Sequence, residues 1–443
     1  MGNFLASAAR RLNEPVVRSA DTGTDWRAAA ARCSEELAQH SAAPAPLAID
    51  SAEPLAYAAH AITALAAGRS ILLGNPHWTP AERAAAETLR RSPETSGGAL
   101  APVDEGPRIL IATGGSSGAL RFATHSPATL HAAALALQTW LGGAPLNSLC
   151  LLPLHHVSGF QQLVRALATG GELLLADWHA LAAGRRPALP PVTGGWILSL
   201  VPTQLQRLVD DPAACAWLRN FTAILLGGAP AGAALLARAR AERLPLAIAY
   251  GASETAAVFA AQAPADFLAG RSGLSPLPHA TLRIVDPETG QPSATGRLGR
   301  IEITATSLFL GYWPEQRAPG PLLSDDLGFL DTDGRLHLAG RADAAINSGG
   351  EKIQPAEVEA ALRATGAFSE VVVCGVPDAR WGQCVAALFP AADQPDLPAV
   401  EKTLRTVLSP HKLPRRWLPI AVWPRTSQGK TDRAALRRLA EHP

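Results

Sequence analysis

The sequence predicts an α/β protein: a large N-terminal domain of layered α/β sheets with a β-subdomain, then a small α+β C-terminal domain. Three observations predict it. Between residues 108 and 250, short apolar runs alternate with helical patterns, the rhythm of a sheet built with helical crossovers. From about residue 280 the apolar residues recur with period two, as in half-buried strands. After Gly340-Arg341 the chain restarts as a unit of about 100 residues, enough for its own core, so the domains are drawn as 1–340 and 341–443.

Residues 1 to about 105 are rich in alanine and punctuated by prolines. Helical patterns at 25–40 and 80–91 surround one short strand candidate at 70–73, and no motif is readable there. A strand starting at Arg108 runs into a Gly-rich loop and a short apolar segment. Only then does a helix start, with Ser126 as N-cap and Pro127 at the first helical position. Further strands are predicted at 148–152, 172–176, 195–200, 223–226 and 246–250. In the β-rich part, 281–285 and 300–304 alternate and Asp333-Gly334 marks a hairpin turn. The last unit holds a Gly-rich loop at 348–350, a helix from Pro355, a strand at 370–374, a helix near 399–408 and a final helix capped by Asp432. The hinge is placed near Asp343.

The charge balance excludes some functions. With 39 Lys+Arg against 38 Asp+Glu there is no global attraction for nucleic acid or anionic membrane, so any anion site must be local. Cys33, Cys150, Cys215, Cys374 and Cys384 form no C-x-x-C pair, which fits a reducing cytoplasm. The opening residues carry no apolar signal core, and Ser7 misses the myristoylation pattern by one place. The most apolar stretch, 131–154, is interrupted by Gln138, Gly142, Gly143, Pro145 and Asn147, so no stable membrane insertion is expected.

The sharpest local feature is Thr113-Gly114-Gly115-Ser116-Ser117-Gly118-Ala119-Leu120-Arg121, directly after a strand. Small residues let backbone N–H groups and hydroxyls close on phosphate oxygens, and the terminal cation adds charge. Gly114–Gly118 also satisfies G-x-S-x-G, which would make Ser116 a hydrolase nucleophile. An elbow needs its helix at once, however, whereas here the helix signals wait until Ser126. A Walker loop is excluded: Gly429-Lys430-Thr431 has its ending, but Pro424 stands where the first glycine is needed. An ordinary Gly/Ser turn remains the plain reading of the segment alone.

Five blocks decide the context: 113–121, 250–255, 324–328, 340–350 and 424–430. In order and spacing they resemble the adenylate-forming acyl-CoA synthetase family, over roughly residue 108 to the end. The blocks Leu152-Pro153-Leu154-His155-His156-Val157-Ser158-Gly159, Ser199-Leu200-Val201-Pro202-Thr203-Gln204 and Leu225-Leu226-Gly227-Gly228-Ala229-Pro230 are most similar to its o-succinylbenzoate-CoA ligase branch, which serves menaquinone and phylloquinone synthesis. Departures are Leu120-Arg121 for the usual Pro-Lys, Ser117 for threonine, and Ser324-Asp325-Asp326 for Thr-Gly-Asp. Arginine keeps the charge as a planar fork instead of a point ammonium.

The resemblance implies the following division of labour, with ATP, Mg²⁺ and CoA as cofactor and co-substrates and a small carboxylic acid as partner. Thr113 to Gly118 and Arg121 grip phosphate; Gly228, Ala229, Pro230, Ser253 and Thr255 line the nucleotide; Tyr250 stacks on adenine. Asp326 takes the ribose hydroxyls, and Arg341 contacts ribose or phosphate. Glu254 binds the metal. Gly251 and His156 wall the acyl pocket. Lys430 catalyses adenylation by neutralising charge between carboxylate and α-phosphate. The small domain then swings about Asp343, bringing Ser348, Gly349, Gly350, Glu351 and Lys352 to the CoA tunnel. Donors for the second, aromatic carboxylate of the acid are sought among His156, Gln204 and Ser253, with Arg165 and Arg207 as cations. A homodimer is left open, as are a ligase for another acid and, from a different class, the Ser116 hydrolase.

Overall fold

The alternation read between 108 and 250 builds a parallel sheet. The structure is a computed structural model, and it describes residues 4–12, 14–20, 25–39, 45–93, 106–114, 120–287, 289–344, 346–348, 351–378, 380–426 and 431–441. Six parallel strands lie side by side in the order Val17–Ser19, Leu173–Leu175, Asn147–Cys150, Trp196–Leu200, Phe221–Leu226 and Leu246–Ala252. Ala257–Gln262 and Ser275–Pro276 complete the sheet antiparallel. Parallel strands covered on both faces read as continuous apolar runs, and Trp196–Leu200 is buried at every position.

A second sheet has the order Gly311–Tyr312, Leu120–His125, Ile109–Gly114, Ile71–Leu73 and Leu47–Ile49. Helices Pro54–Ala66 and Val157–Thr169 fill the space between the two sheets. Their Leu55, Ile62, Leu65, Phe160, Leu163 and Val164 pack with Ile71, Leu73, Ile109 and Ile111 of one sheet and Cys150, Leu173 and Leu175 of the other. Each such large side chain contributes roughly 1.5–3 kcal/mol on burial. Helix starts follow the local chemistry. Thr129 N–H donates to Ser126 Oγ at 3.3 Å while Ser126 N–H donates to Thr129 Oγ1 at 3.2 Å, a reciprocal cap with Pro127 in the first turn. Gly170, with φ +81°, ends Val157–Thr169 in the left-handed conformation that glycine adopts without strain.

The first hundred residues, which carry no readable motif, belong to this core. Val17–Ser19 is an edge strand of the large sheet, and Leu47–Ile49 and Ile71–Leu73 form one side of the second. Three-residue strands are too short to display period two, and a helix as apolar as Pro54–Ala66, buried at nine positions, lacks the polar face that betrays an amphipathic helix.

The β-subdomain is an antiparallel sheet of Ala280–Val285, Gly299–Ala305, Leu322–Leu330 and Leu336–Arg341. Gly334, at φ +74°, makes the predicted turn, and the register sets Asp326 opposite Arg341. After it, Glu351–Ile353, Ile346–Ser348, Gly382–Pro390, Val372–Asp378 and Arg416–Ile420 form a separate small sheet. Helices Pro355–Ala364 and Leu397–Val407 cover one face through Val358, Leu362 and Leu404, and Arg433–Glu441 covers the other through Leu436 and Ala440. Asp432 caps that last helix, its Oδ1 accepting from Ala435 N–H at 2.9 Å. The strand expected at 370–374 lies at Val372–Asp378, and its long partner Gly382–Pro390 was not among the strands expected, although its apolar run 384–389 is the pattern of a buried strand. Among the described residues no helix is long and apolar enough to cross a membrane.

Candidate active site

The parallel strands all end at one edge of the large sheet, where open α/β sheets bind ligands. Leu151 to His156, Val201, Gly227 to Pro230 and Tyr250 to Ala252 follow or end four neighbouring strands there. Beside this edge Ile109–Gly114 and Leu120–His125 form a hairpin with Thr113 opposite Arg121 and Gly114 opposite Leu120. A hairpin is not a strand-to-helix elbow, which removes the geometric basis for a Ser116 nucleophile. Gly115, Ser116, Ser117 and Gly118 themselves lie outside the described residues.

Strand Leu246–Ala252 carries Tyr250 and shifts register at Tyr250/Gly251 against Ala257–Gln262. A Cβ at Gly251 would overlap the Ala257 carbonyl, so glycine is required here by packing alone. The chain then makes a 3₁₀ turn, Ser253–Thr255, and leaves it through Ala256 and Ala257 at φ +55° and +75°. Left-handed backbone costs a residue bearing a Cβ roughly 1–2 kcal/mol, so the surroundings must hold it. They hold four successive carbonyls from three segments: Ser253 O accepts from His125 Nε2 at 2.7 Å, Glu254 O from Phe309 N–H at 2.8 Å, Thr255 O from Ser307 Oγ at 3.0 Å and Ala256 O from Gln161 Nε2 at 3.1 Å. Because a carbonyl only accepts, the His125 proton sits on Nε2, and Nδ1 faces Thr129 Oγ1 at 2.9 Å. Burial pushes the His125 pKa down to about 4, keeping the ring neutral.

Two polar clusters flank this turn. In one, the Tyr250 hydroxyl donates to Asp326 Oδ2 and Arg341 Nη1 donates to Asp326 Oδ1 at 3.3 Å. Burial first, then the Asp326 charge, raises the Tyr250 pKa well above its ordinary value, so the phenol stays a donor. Ser324, part of the departing Ser-Asp-Asp block, accepts Asp326 N–H on its Oγ at 2.9 Å, and Arg300 pairs with Asp325 at 2.7 Å. Asp326 is thereby fixed from both backbone and side chain. Tyr250's ring leans on Phe259, with centroids 4.9 Å apart and planes at 58°.

In the other cluster, the Tyr312 hydroxyl donates to Glu254 Oε1 at 2.6 Å, and the Arg121 guanidinium lies 3.5 Å above the Tyr312 ring centroid. Glu254 suits a magnesium ion that also takes phosphate oxygens. Among the described residues no three His, Cys, Asp or Glu side chains gather as a metal cage, and Mg²⁺ characteristically uses one or two carboxylates plus substrate phosphates.

The remaining candidates scatter. Gly228 has φ +80°, and Ala229 and Pro230 are exposed just beyond Phe221–Leu226. His156 occupies the N-cap position of Val157–Thr169, and its ring meets that of His155 edge-on at 4.2 Å. Gln204 turns back on its own helix, its Oε1 accepting from Val201 N–H at 3.0 Å. Arg165 is 3% exposed inside the core, where burial lowers its pKa to about 10, and Arg207 is exposed on Pro202–Leu208. Neither arginine is brought beside Ser253 by any hydrogen bond among the described residues.

Residues 35–313 match the model of the AMP-binding enzyme family, and residues 357–430 that of the AMP-binding enzyme C-terminal domain. The chain belongs to the AMP-binding enzymes. It is 33% identical over 356 residues to a probable 2-succinylbenzoate-CoA ligase of Mycobacterium tuberculosis, covering 76% of this chain and 86% of that one. It is 30% identical over 296 residues to the 2-succinylbenzoate-CoA ligase of Enterococcus faecalis, covering 64% of this chain and 59% of that relative's length. The solved o-succinylbenzoate CoA synthetase of Bacillus subtilis with its acyl-adenylate intermediate superposes with a TM-score of 0.83 at 22% identity, covering 99% of this chain and 98% of that one.

In this AMP-binding enzyme the C-terminal blocks are placed only in part. Lys430 lies outside the described residues, as do Gly349 and Gly350 and the side chains of Asp343 and Lys352. Asp343 falls in a 3₁₀ turn, Ala342–Ala344, between the two units, and Ser348 pairs with Glu351 across the ends of the glycine loop. The segment bearing Lys430 is tied at its base to one carboxylate. Glu370 accepts from Trp423 Nε1 at 3.0 Å, from Thr431 Oγ1 at 2.7 Å and from the Arg425 guanidinium, and Arg425 bridges Thr431 through the backbone.

Sequence reasoning missed His125, Gln161, Ser307, Phe309, Tyr312 and Glu370. One signal was available: the chain has 3 tyrosines, and two of them, Tyr250 and Tyr312, flank the Glu254 turn. The others, His125, Gln161 and Glu370 from three distant segments and Ser307 and Phe309 from the segment that carries Tyr312, form no local pattern.

Proposed function

We propose that this protein is an o-succinylbenzoate-CoA ligase of the cytoplasm. It activates the succinyl carboxylate of its acid as an acyl-adenylate and then transfers the acyl group to CoA. The observation that carries the adenylation reading is the meeting of Tyr250, Glu254, Asp326, Arg341 and Arg121 around one turn at the ligand edge of the sheet. The acid is argued from the relatives named as 2-succinylbenzoate-CoA ligases.

In the first step the acid's carboxylate oxygen attacks the α-phosphorus of ATP, the α–β phosphoanhydride bond breaks and pyrophosphate leaves. Bound Mg²⁺ supplies charge neutralisation on the phosphates. Arg121 and the 113–118 loop hold the phosphate chain, Glu254 holds the metal, and Asp326 accepts hydrogen bonds from the ribose hydroxyls with Arg341 beside it. Lys430 is assigned the role of bridging carboxylate and α-phosphate, where positioning and charge stabilisation would lower the barrier. In the second step the small domain turns about Asp343, and the 348–352 loop replaces Lys430 beside the entering CoA. The thiol attacks the acyl carbon, loses its proton and expels AMP.

The test is pyrophosphate release on mixing the protein with MgATP and o-succinylbenzoate, followed by formation of the CoA thioester. Release with other aromatic or aliphatic acids but none with o-succinylbenzoate overturns the substrate while keeping the chemistry.

A further inference from the structure

We infer that Tyr312 is a positioning residue for the phosphate end of the nucleotide: its hydroxyl orients Glu254 while its ring carries the Arg121 guanidinium. The inference rests on the adenylation reading and names a residue whose work none of the five sequence blocks contains.

Tyr312 reaches the site from a third direction. Strand Gly311–Tyr312 pairs antiparallel with Leu120–His125, setting Tyr312 opposite Ala123 and Gly311 opposite Thr124. The strand carrying Arg121 is therefore bound through its backbone to the strand carrying Tyr312, and the two side chains stack with 3.5 Å between guanidinium carbon and ring centroid. Upstream, Phe309 N–H donates to the Glu254 carbonyl at 2.8 Å and its ring meets Tyr312 edge-on at 4.9 Å. One short segment thus touches Glu254 twice, through Phe309 N–H on its backbone and through Tyr312 Oη on its side chain.

The chemistry of both contacts favours function over simple packing. A phenol that donates to one carboxylate oxygen fixes the carboxylate's rotation and leaves the other oxygen for a cation. Groups standing in this relation to a metal ligand typically change metal affinity or activity about 10- to 100-fold when removed. The stacked ring also accounts for the arginine found where the family has lysine. A planar guanidinium lies flat on an aromatic face and still projects N–H groups from its edge, which an ammonium cannot do with one point of charge. Tyr312 would then orient a cation toward the phosphates and a carboxylate toward the metal that the phosphates share.

The test uses the full-length chain and calorimetric binding of ATP, with and without Mg²⁺, alongside pyrophosphate release. Tyr312→Phe keeps the ring and loses the hydroxyl. It is expected to leave metal-free ATP affinity unchanged and to reduce the tightening of ATP by Mg²⁺ on the order of tenfold. Tyr312→Leu loses both contacts and is expected also to weaken metal-free ATP binding by roughly fivefold, as a cation loses its aromatic support. In a Glu254→Gln background Tyr312→Phe should add nothing, because its partner is already altered. A Tyr312→Phe protein with unchanged melting temperature and an unchanged or stronger Mg²⁺ effect overturns the inference. A wild-type protein that neither binds ATP nor releases pyrophosphate with any acid overturns the adenylation reading instead, and the inference with it.

Discussion

Two segments present the groups on which the proposed chemistry depends, and they are held very differently. The turn from Ser253 to Ala256 is clasped at four consecutive carbonyls by His125, Phe309, Ser307 and Gln161, four residues from three separate segments of the large domain. The segment leading to Lys430 is tied at its base, among the described residues, by the carboxylate of Glu370 and by backbone bonds between its two flanks, Arg425 with Thr431 and Asp432 N–H to Pro424 O at 3.0 Å. The first arrangement keeps a strained backbone in one conformation. The second ties the base of the segment within the C-terminal unit itself, so under the proposed domain alternation lysine and anchor would travel together. On the proposed cycle, a group needed throughout would be built into the scaffold and a group needed once would be carried on a moving part.

Breaking each side of this comparison should give different kinetic signatures. Lys430→Ala is expected to lower adenylation by about 10²-fold or more, the usual loss of one transition-state contact, while thioester formation from supplied acyl-adenylate survives; equal loss in both steps would refute domain alternation. Asp326→Ala removes an acceptor from the nucleotide that stays bound through both steps. Hydrogen bonds to charged groups contribute about 1.5–3 kcal/mol, so both half-reactions should weaken, roughly tenfold or more, in single-turnover assays. Glu370→Ala should reduce adenylation by roughly tenfold through misplacement of Lys430, with no further loss when combined with Lys430→Ala. An additive double variant would show that Glu370 acts elsewhere.

The smallest effect at working pH concerns the polar frame of the turn. Burial lowers the pKa values of His125, His155 and His279 from 6.5 to about 4. Between those values the unfolded chain binds more protons than the folded one. Their contribution to stability is therefore complete above about pH 6.5 and is lost as pH falls through 4. Denaturant titrations from pH 7.5 to 4 should show little change near neutrality and a steepening loss below, flattened by His125→Gln. A flat profile across the window would mean that these rings are not buried neutral.

Much of this was legible along the chain. The Ser126-Pro127 helix start, the parallel strands of 148–250 and the Asp333-Gly334 turn are local patterns, and local sterics and hydrogen bonding set them. The delayed helix signal likewise pointed to a loop between two extended segments around 113–121, and the structure pairs those segments as a hairpin. The first hundred residues were unreadable because their strands are three residues long and their central helix has no polar face.

By itself the sequence determined the α/β order of elements, the small C-terminal unit and the five blocks that carry the family resemblance, since each depends on residues close together in the chain. Only the tertiary structure decided which oxygen of Glu254 meets Tyr312, why arginine at 121 lies on an aromatic ring, that Gln204 serves its own helix, and that Glu370 anchors the lysine segment. Those pairings join residues far apart in sequence or depend on side-chain direction, and a linear pattern contains neither.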